Sequence, residues 1–124
     1  MANILLVDDD ASFRTMLATK LVHMGHVVRE AANGRQACML LEGESAELII
    51  LDLIMPEQEG LETIQKLRKK RFAGKILAIS GGGRIDPRDM LQVATQFGAS
   101  AVLAKPFTQE QLVEVLQKLL PTKE

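Results

Sequence analysis

The sequence has few of the residues that anchor redox sites, membrane spans or aromatic cores. Its 124 residues include no tryptophan or tyrosine, four phenylalanines and one cysteine. Cys38 cannot form an internal disulfide, and its apolar surroundings in the sequence favour a small buried hydrophobe over a reactive thiol. No apolar run approaches the ~20 residues of a membrane-spanning helix, and the N-terminus lacks the basic start of a signal peptide. We therefore expect a cytoplasmic protein that does not enter a membrane.

The net charge of the chain is also small. Its value of −1 gives no bulk field that would attract nucleic acid, so a partner must be recognised by local features. The one basic run, residues 66–71, closes a predicted helix, where cations offset the helix dipole. We expect no nucleic-acid partner. The length fits one domain with a sizeable core.

Strand-like and helix-like segments alternate roughly every 20 to 25 residues, an order that predicts an α/β fold with one parallel sheet. The predicted strands are Asn3–Val7, His26–Glu30, Glu47–Leu51, Lys75–Ile79 and Ala101–Ala104. The predicted helices are Ala11–Met24, Asn33–Leu41, Glu59–Arg71, Pro87–Phe97 and Thr108–Leu120. Candidate helix caps are Asp10, Asn33, Asp86 and Thr108. Because the strands are apolar almost throughout, we expect helices on both faces of the sheet.

Four of these strands end on polar residues of distinct chemistry. They are followed by the acidic run 8–10, by Asp52, by Ser80 and by Lys105. Right-handed crossovers place the carboxyl ends of parallel strands at one edge, where open α/β sheets bind ligands. If the strands are neighbours, these side chains converge there.

The convergence would be costly without a cation. Two carboxylates 4 Å apart repel by roughly 4 kcal/mol at an effective dielectric near 20. Mg²⁺ removes that repulsion, since it accepts carboxylate and phosphate oxygens while keeping several waters. Asp52 could then be a nucleophile that forms an acyl phosphate while Asp8 and Asp9 hold the metal. Ser80 could donate to one phosphoryl oxygen and Lys105 could supply a charge to another.

The residues also resemble the receiver domain of bacterial two-component response regulators. The resemblance lies in four motifs spread over essentially the whole chain, in the order that the family shows. They are Val7-Asp8-Asp9-Asp10, Leu51-Asp52-Leu53-Ile54-Met55-Pro56 followed by Gly60, Ala78-Ile79-Ser80, and Lys105-Pro106-Phe107. The resemblance implies a flavodoxin-like, doubly wound sheet of five strands in the order 2-1-3-4-5 with five helices.

The same resemblance implies roles for individual residues. Asp52 would be phosphorylated by a histidine kinase or a histidine phosphotransfer protein. Asp9, Asp52 and the backbone carbonyl of Ile54 would ligate Mg²⁺, with Asp8 acting through water. Ser80 and Lys105 would contact the phosphoryl group. The chain would then be a signalling phosphoacceptor rather than an enzyme with a separate substrate.

Two departures from the family pattern concern how the signal leaves the site. Receivers usually carry an aromatic switch residue three positions before the lysine, where this chain has Val102. The loop after Ser80 begins with Gly81, Gly82 and Gly83, which change conformation at low steric cost. We therefore expect this loop and the start of the next helix to carry the signal. Neither Ile54 nor Gly82 can orient a water molecule through its side chain, which predicts slow loss of the phosphoryl group.

Two other classes remain open at this stage. Asp8-x-Asp10 after a first strand also resembles the nucleophile motif of haloacid-dehalogenase-type phosphatases, although that reading leaves Asp52 without a role. The second class is a degenerate receiver that only docks to a partner protein and carries out no phosphoryl chemistry. Only four residues follow Leu120, so we expect residues 1–124 to be a single receiver domain without an output domain. It would act through a downstream protein target, or by phosphorelay, as a monomer or weak homodimer.

Overall fold

Five strands alternate with five helices in the computed structural model, which describes residues 2–53, 59–80 and 87–120. The strands are β1 Asn3–Val7, β2 Val27–Ala31, β3 Leu48–Asp52, β4 Lys75–Ser80 and β5 Ala101–Ala104. The helices are α1 Ala11–His23, α2 Gly34–Gly43, α3 Glu59–Lys69, α4 Pro87–Phe97 and α5 Gln109–Leu119. In the part of the chain that is described, no helix is both long enough and apolar enough to cross a bilayer.

The sheet is parallel throughout, with the strand order β2-β1-β3-β4-β5. The predicted fold class and strand order are confirmed. Because β1 pairs with β2 on one side and β3 on the other, the chain reverses its direction of winding between β1 and β3. In doubly wound sheets, that reversal opens a crevice at the carboxyl ends of the two central strands.

Alternate strand residues bury the two faces of this sheet in separate core layers. Leu5, Val7 and Leu51 lie in one layer, together with residues of α2, α3 and α4. Ile4 and Ile50 lie in the other, together with residues of α1 and α5. Each fully buried Leu, Ile or Val contributes about 1.5 to 3 kcal/mol to folding. The strands are thereby held as a rigid platform for the residues at their ends.

Several helix and strand limits differ from the predicted ones by one or two residues; for example, β2 lies one residue later, α2 ends at Gly43 and α3 ends at Lys69. The third and fourth strands extend one residue further than predicted and include Asp52 and Ser80. Asp10, Asn33 and Thr108 cap their helices as predicted, while Asp86 lies outside the described residues. Cys38 is free but only half-buried, rather than fully buried.

Three helices end in the same hydrogen-bonded motif, with a residue of positive φ just past the helix. In each, the residue with positive φ donates its N–H three residues back and the next residue donates five residues back. This is the Schellman pattern, in which glycine is the usual residue. Gly25 and Gly98 fill it after α1 and α4, with φ of 95° and 117°. After α3 the position is held by Arg71, with φ of 63°, in a region that side chains with a Cβ adopt at a cost.

Arg71→Gly is therefore expected to raise the free energy of unfolding by ~0.5–1 kcal/mol, since glycine adopts positive φ without steric cost. Urea denaturation followed by circular dichroism measures the change. Gly25→Ala is the matched control, because an added Cβ there meets nothing within 4 Å and only the backbone conformation is penalised. It should lower stability by ~1 kcal/mol. A loss of stability in Arg71→Gly would contradict the backbone explanation.

Candidate functional site

The polar residues predicted to converge do lie at one edge of the sheet. Asp8 directly follows β1, Asp52 and Ser80 are the last residues of β3 and β4, and Lys105 directly follows β5. The register aligns these ends, since Val7 pairs with Leu51 and Ser80 pairs with Ala104. Asp8, Asp52 and Ser80 are buried, while Asp9 is exposed.

Lys105 connects the ends of three strands. Its ammonium Nζ lies 3.0 Å from Asp52 Oδ2 and 3.7 Å from Asp8 Oδ2. Its backbone N–H donates to the Ser80 carbonyl oxygen at 2.7 Å, and the Lys105–Pro106 peptide bond is cis. The lysine thus places one positive charge between two buried carboxylates.

Asp8 is fixed through its backbone and one carboxylate oxygen. Its N–H donates to the Ala31 carbonyl at 3.1 Å, and its own carbonyl accepts from Arg14 Nη1 at 2.6 Å. Oδ1 accepts from the Asp10 N–H at 2.9 Å. The other oxygen, Oδ2, is buried and accepts no hydrogen bond from the residues that the structure describes. A buried carboxylate oxygen in that condition is normally matched by a cation or ordered water.

The pKa of Asp8 also indicates that a cation would be favourable beside it. Burial raises the pKa of its carboxyl to about 6, and the negative charge of Asp52 adds to the rise. The Asp10 N–H and the Lys105 ammonium lower the pKa without offsetting the burial. Burial therefore makes the charged form of Asp8 less favourable than that of an exposed aspartate, and a further positive charge beside it would offset this cost.

A magnesium ion fits this arrangement. One carboxylate oxygen from each of Asp8, Asp9 and Asp52 lies within 4.8 Å of the other two, so a single cation can reach all three. The donor set is made of oxygen only, as hard divalent cations require, and Asp9 opens the site to solvent. Asp8 Oδ2, which accepts no hydrogen bond from the described residues, gives such an ion, or one of its waters, a place to bind.

Comparison with known proteins identifies the family. The sequence pattern of the response regulator receiver domain matches residues 4–117. The chain belongs to this family. Receiver domains accept a phosphoryl group, bind Mg²⁺ at acidic residues and act between histidine kinases and downstream targets.

Individual relatives agree with this assignment. Chemotaxis protein CheY of Bacillus subtilis is 34% identical over 118 residues, which are 94% of this chain and 96% of that protein. The solved structure of CheY4 from Vibrio cholerae superposes with a TM-score of 0.85 at 33% identity, covering 97% of this chain and 99% of that one. The nitrate/nitrite response regulator NarL of Escherichia coli is 38% identical over 120 residues. The match covers 94% of this chain but 54% of NarL, and other curated relatives are likewise longer than the chain.

Sequence reasoning missed two residues of the receiver site. Arg14 donates to the Asp8 carbonyl and pairs with Glu30 at the end of β2, with 3.0 Å between Nε and Oε1. The ring of Phe13 lies against the Lys105 ammonium. Both residues are in the first turn of α1, and helical side chains point back toward the N-terminus of their helix. That direction is the signal that could have found them.

Several predicted site residues lie outside the described part of this receiver domain. They are Ile54, with its expected backbone ligand, and the switch-loop residues Gly81, Gly82 and Gly83. The fourth member of the predicted switch region, Val102, is described. It is half-buried in β5 and packs against the core layer of α2, α3 and α4.

The raised pKa of Asp8 leads to a stability prediction. A carboxyl whose pKa is higher in the folded state destabilises the fold above about pH 6, and the penalty fades as pH falls toward 4. Without divalent cations at pH 7, Asp8→Asn should therefore raise the free energy of unfolding by roughly 1–3 kcal/mol. Its Oδ1 can still accept from the Asp10 N–H. Urea denaturation in EDTA at several pH values measures the difference.

The difference between Asp8→Asn and wild type should shrink as pH falls below 6. Added Mg²⁺ should stabilise the wild type more than Asp8→Asn. Asp10→Asn is the control, because it removes an exposed carboxylate from the same loop and asparagine also caps helices. Equal stability of wild type and Asp8→Asn at pH 7 in EDTA would contradict the electrostatic account of Asp8.

Proposed function

We propose that this receiver domain accepts a phosphoryl group on Asp52 from a histidine kinase or a histidine phosphotransfer protein. The observation that carries the proposal is the position of Asp52. Its carboxylate ends a buried strand, lies 3.0 Å from the Lys105 ammonium and shares a candidate metal site with Asp8 and Asp9. Three carboxylates and one ammonium therefore lie together where the phosphoryl group would be formed.

The chemistry follows from this arrangement. A carboxylate oxygen of Asp52 attacks phosphorus as the P–N bond of the phosphohistidine breaks, and the bonding electron pair leaves with the imidazole nitrogen. Bound Mg²⁺ neutralises charge on the phosphoryl oxygens. The Lys105 ammonium donates to one phosphoryl oxygen in place of Asp52 Oδ2, and the Ser80 hydroxyl donates to another. By the family resemblance, Asp9 and Asp52 would hold the metal directly, together with the backbone carbonyl of Ile54, and Asp8 would hold it through water.

The observations on Asp8 favour Asp52 over Asp8 as the nucleophile. A phosphatase of the haloacid-dehalogenase type would need Asp8 to attack phosphorus. One Asp8 oxygen accepts from the Asp10 N–H, and the other is buried. Both features restrict the approach of a phosphorus atom to the Asp8 oxygens. The family match over residues 4–117 also supports the receiver function.

The effect of phosphorylation is transmitted without an aromatic residue at position 102. Val102 carries no ring, so rotation of an aromatic side chain at that position does not transmit the signal. We infer that the loop 81–86 and the start of α4 transmit it to a downstream protein that binds the phosphorylated form, or that the phosphoryl group passes onward. The single-domain organisation and the monomeric or weakly dimeric state stay predictions. The slow loss of the phosphoryl group also stays a prediction.

Incubation with Mg²⁺ and a small phosphodonor such as phosphoramidate should add one phosphoryl group, measured by intact-protein mass. Asp52→Asn should abolish the addition because the amide is not a nucleophile for phosphorus. Asp10→Asn is the matched control and should react like the wild type. Chelation of Mg²⁺ should slow the reaction strongly.

Each alternative predicts a different result in the same experiment. A docking module without phosphoryl chemistry would show no change in mass. A phosphatase would release phosphate continuously, and the release would depend on Asp8 rather than Asp52. Either result would contradict the proposed function.

A further inference from the structure

An aromatic ring lies directly against the lysine of the site. The Lys105 Nζ is 3.8 Å from the centroid of the Phe13 ring, well within the range of a cation–π interaction. The Phe107 ring meets the Phe13 ring edge-to-face, with centroids 6.2 Å apart and an interplanar angle of 89°. This geometry is a favoured one for aromatic pairs, and it fixes the orientation of the Phe13 ring.

Hydrogen bonds in the turn that contains the acidic residues determine the position of Phe13. Phe13 is the third residue of α1, and its backbone N–H donates to Asp10 Oδ1 at 3.1 Å. Asp10 in turn donates its own N–H to Asp8 Oδ1. One turn of chain therefore sets both the carboxylate of Asp8 and the ring that faces Lys105.

A ring restrains a lysine differently from a carboxylate. The side chain of Lys105 has a flexible four-carbon stem, and ordering it costs conformational entropy. A further carboxylate, in addition to those of Asp8 and Asp52, would also compete with a phosphoryl oxygen for the N–H donors of Lys105. The face of Phe13 attracts the ammonium without carrying a net charge, so the pairing with Asp52 can be exchanged for one with a phosphoryl oxygen.

We propose that Phe13 is a positioning residue that holds the Lys105 ammonium beside Asp52, ready to bind the phosphoryl group formed there. The inference rests on the proposed function for its effect on phosphorylation. The placement of the ammonium by the ring can be measured without any phosphoryl transfer. The two can therefore fail separately.

A purely structural role for Phe13 is the competing explanation. The ring lines an apolar groove between α1 and residues 105–107, which precede α5, together with Met16, Leu17 and Phe107. If Phe13 only fills that groove, leucine should replace it with no effect on Lys105. If it positions the ammonium, leucine should release Lys105, and tyrosine, which keeps an aromatic face, should restore it.

The experiment compares Phe13→Leu and Phe13→Tyr with Met16→Leu, a control on the same helix that lines the same groove. NMR of the Lys105 side chain reports ring placement, since protons of its terminal CH₂ above an aromatic face are shifted upfield. We expect the upfield shift in the wild type, Phe13→Tyr and Met16→Leu, and its loss in Phe13→Leu. The rate of phosphorylation by phosphoramidate at fixed Mg²⁺ should fall about 3- to 10-fold in Phe13→Leu alone. Circular dichroism establishes that each variant is folded.

The outcomes separate the two proposals. An unchanged Lys105 shift in Phe13→Leu, or a rate equal to that of Met16→Leu, would overturn the positioning role. A rate that falls as much in Phe13→Tyr as in Phe13→Leu would also overturn it, because aromaticity would then not be the cause. If the Lys105 shift follows the ring but wild type accepts no phosphoryl group, the placement of the ammonium stands and the proposed function fails.

Discussion

The ion pair between Lys105 and Asp52 is the interaction on which the described site depends. Within the described part of the site, three carboxylates lie close to one another, and two of them, those of Asp8 and Asp52, lie beside the Lys105 ammonium. Burial strengthens both the attraction and the repulsion, because the effective dielectric is lower there than in water. A bound cation would offset the repulsion between these carboxylates, and a phosphoryl group on Asp52 would compete with them for the Lys105 ammonium. A receiver domain needs such a site, since its output depends on charge at one position.

Hydrogen bonds that involve the backbone hold Asp8 in this site. Asp8 is held by Ala31 of β2, by Arg14 of α1 and by the N–H of Asp10. These contacts fix the carboxylate in place even though Asp8 Oδ2 finds no hydrogen-bond partner within the described ranges. Burial of the apolar layers on both sides of the sheet stabilises the fold, and this stabilisation offsets the free-energy cost of burying the Asp8 carboxylate. The carboxylates at the sheet edge thus carry an unfavourable electrostatic energy, which a bound cation would lower.

The sequence predicted the sheet, the strand order through its family resemblance, and the meeting of Asp8, Asp52, Ser80 and Lys105. Those features depend on periodicity and on the chirality of crossovers, which act over whole elements. The last strand residues were harder to predict, because a polar residue at the end of an apolar run pairs in the sheet or leaves it according to its neighbours. Arg14 and Phe13 were missed because their roles arise from side-chain direction in the first helical turn. Arg71 at positive φ was missed because its sequence context does not distinguish it from a helical residue.

The distribution of the few aromatic residues bears on how the signal leaves the site. With four phenylalanines and no other aromatic residue in the chain, two of them, Phe13 and Phe107, pack together beside Lys105. On the opposite face of the sheet, β5 offers only Val102, whose branched side chain has few accessible rotamers. Aromatic contact with the site is therefore concentrated between α1 and the start of α5. A shift of the Lys105 ammonium toward a phosphoryl group would alter its contact with Phe13, and the edge-to-face pair would pass that change to the N-terminal end of α5. If the proposed function is correct, such a change at Lys105 would reach α1 and the segment before α5 as well as residues 81–86.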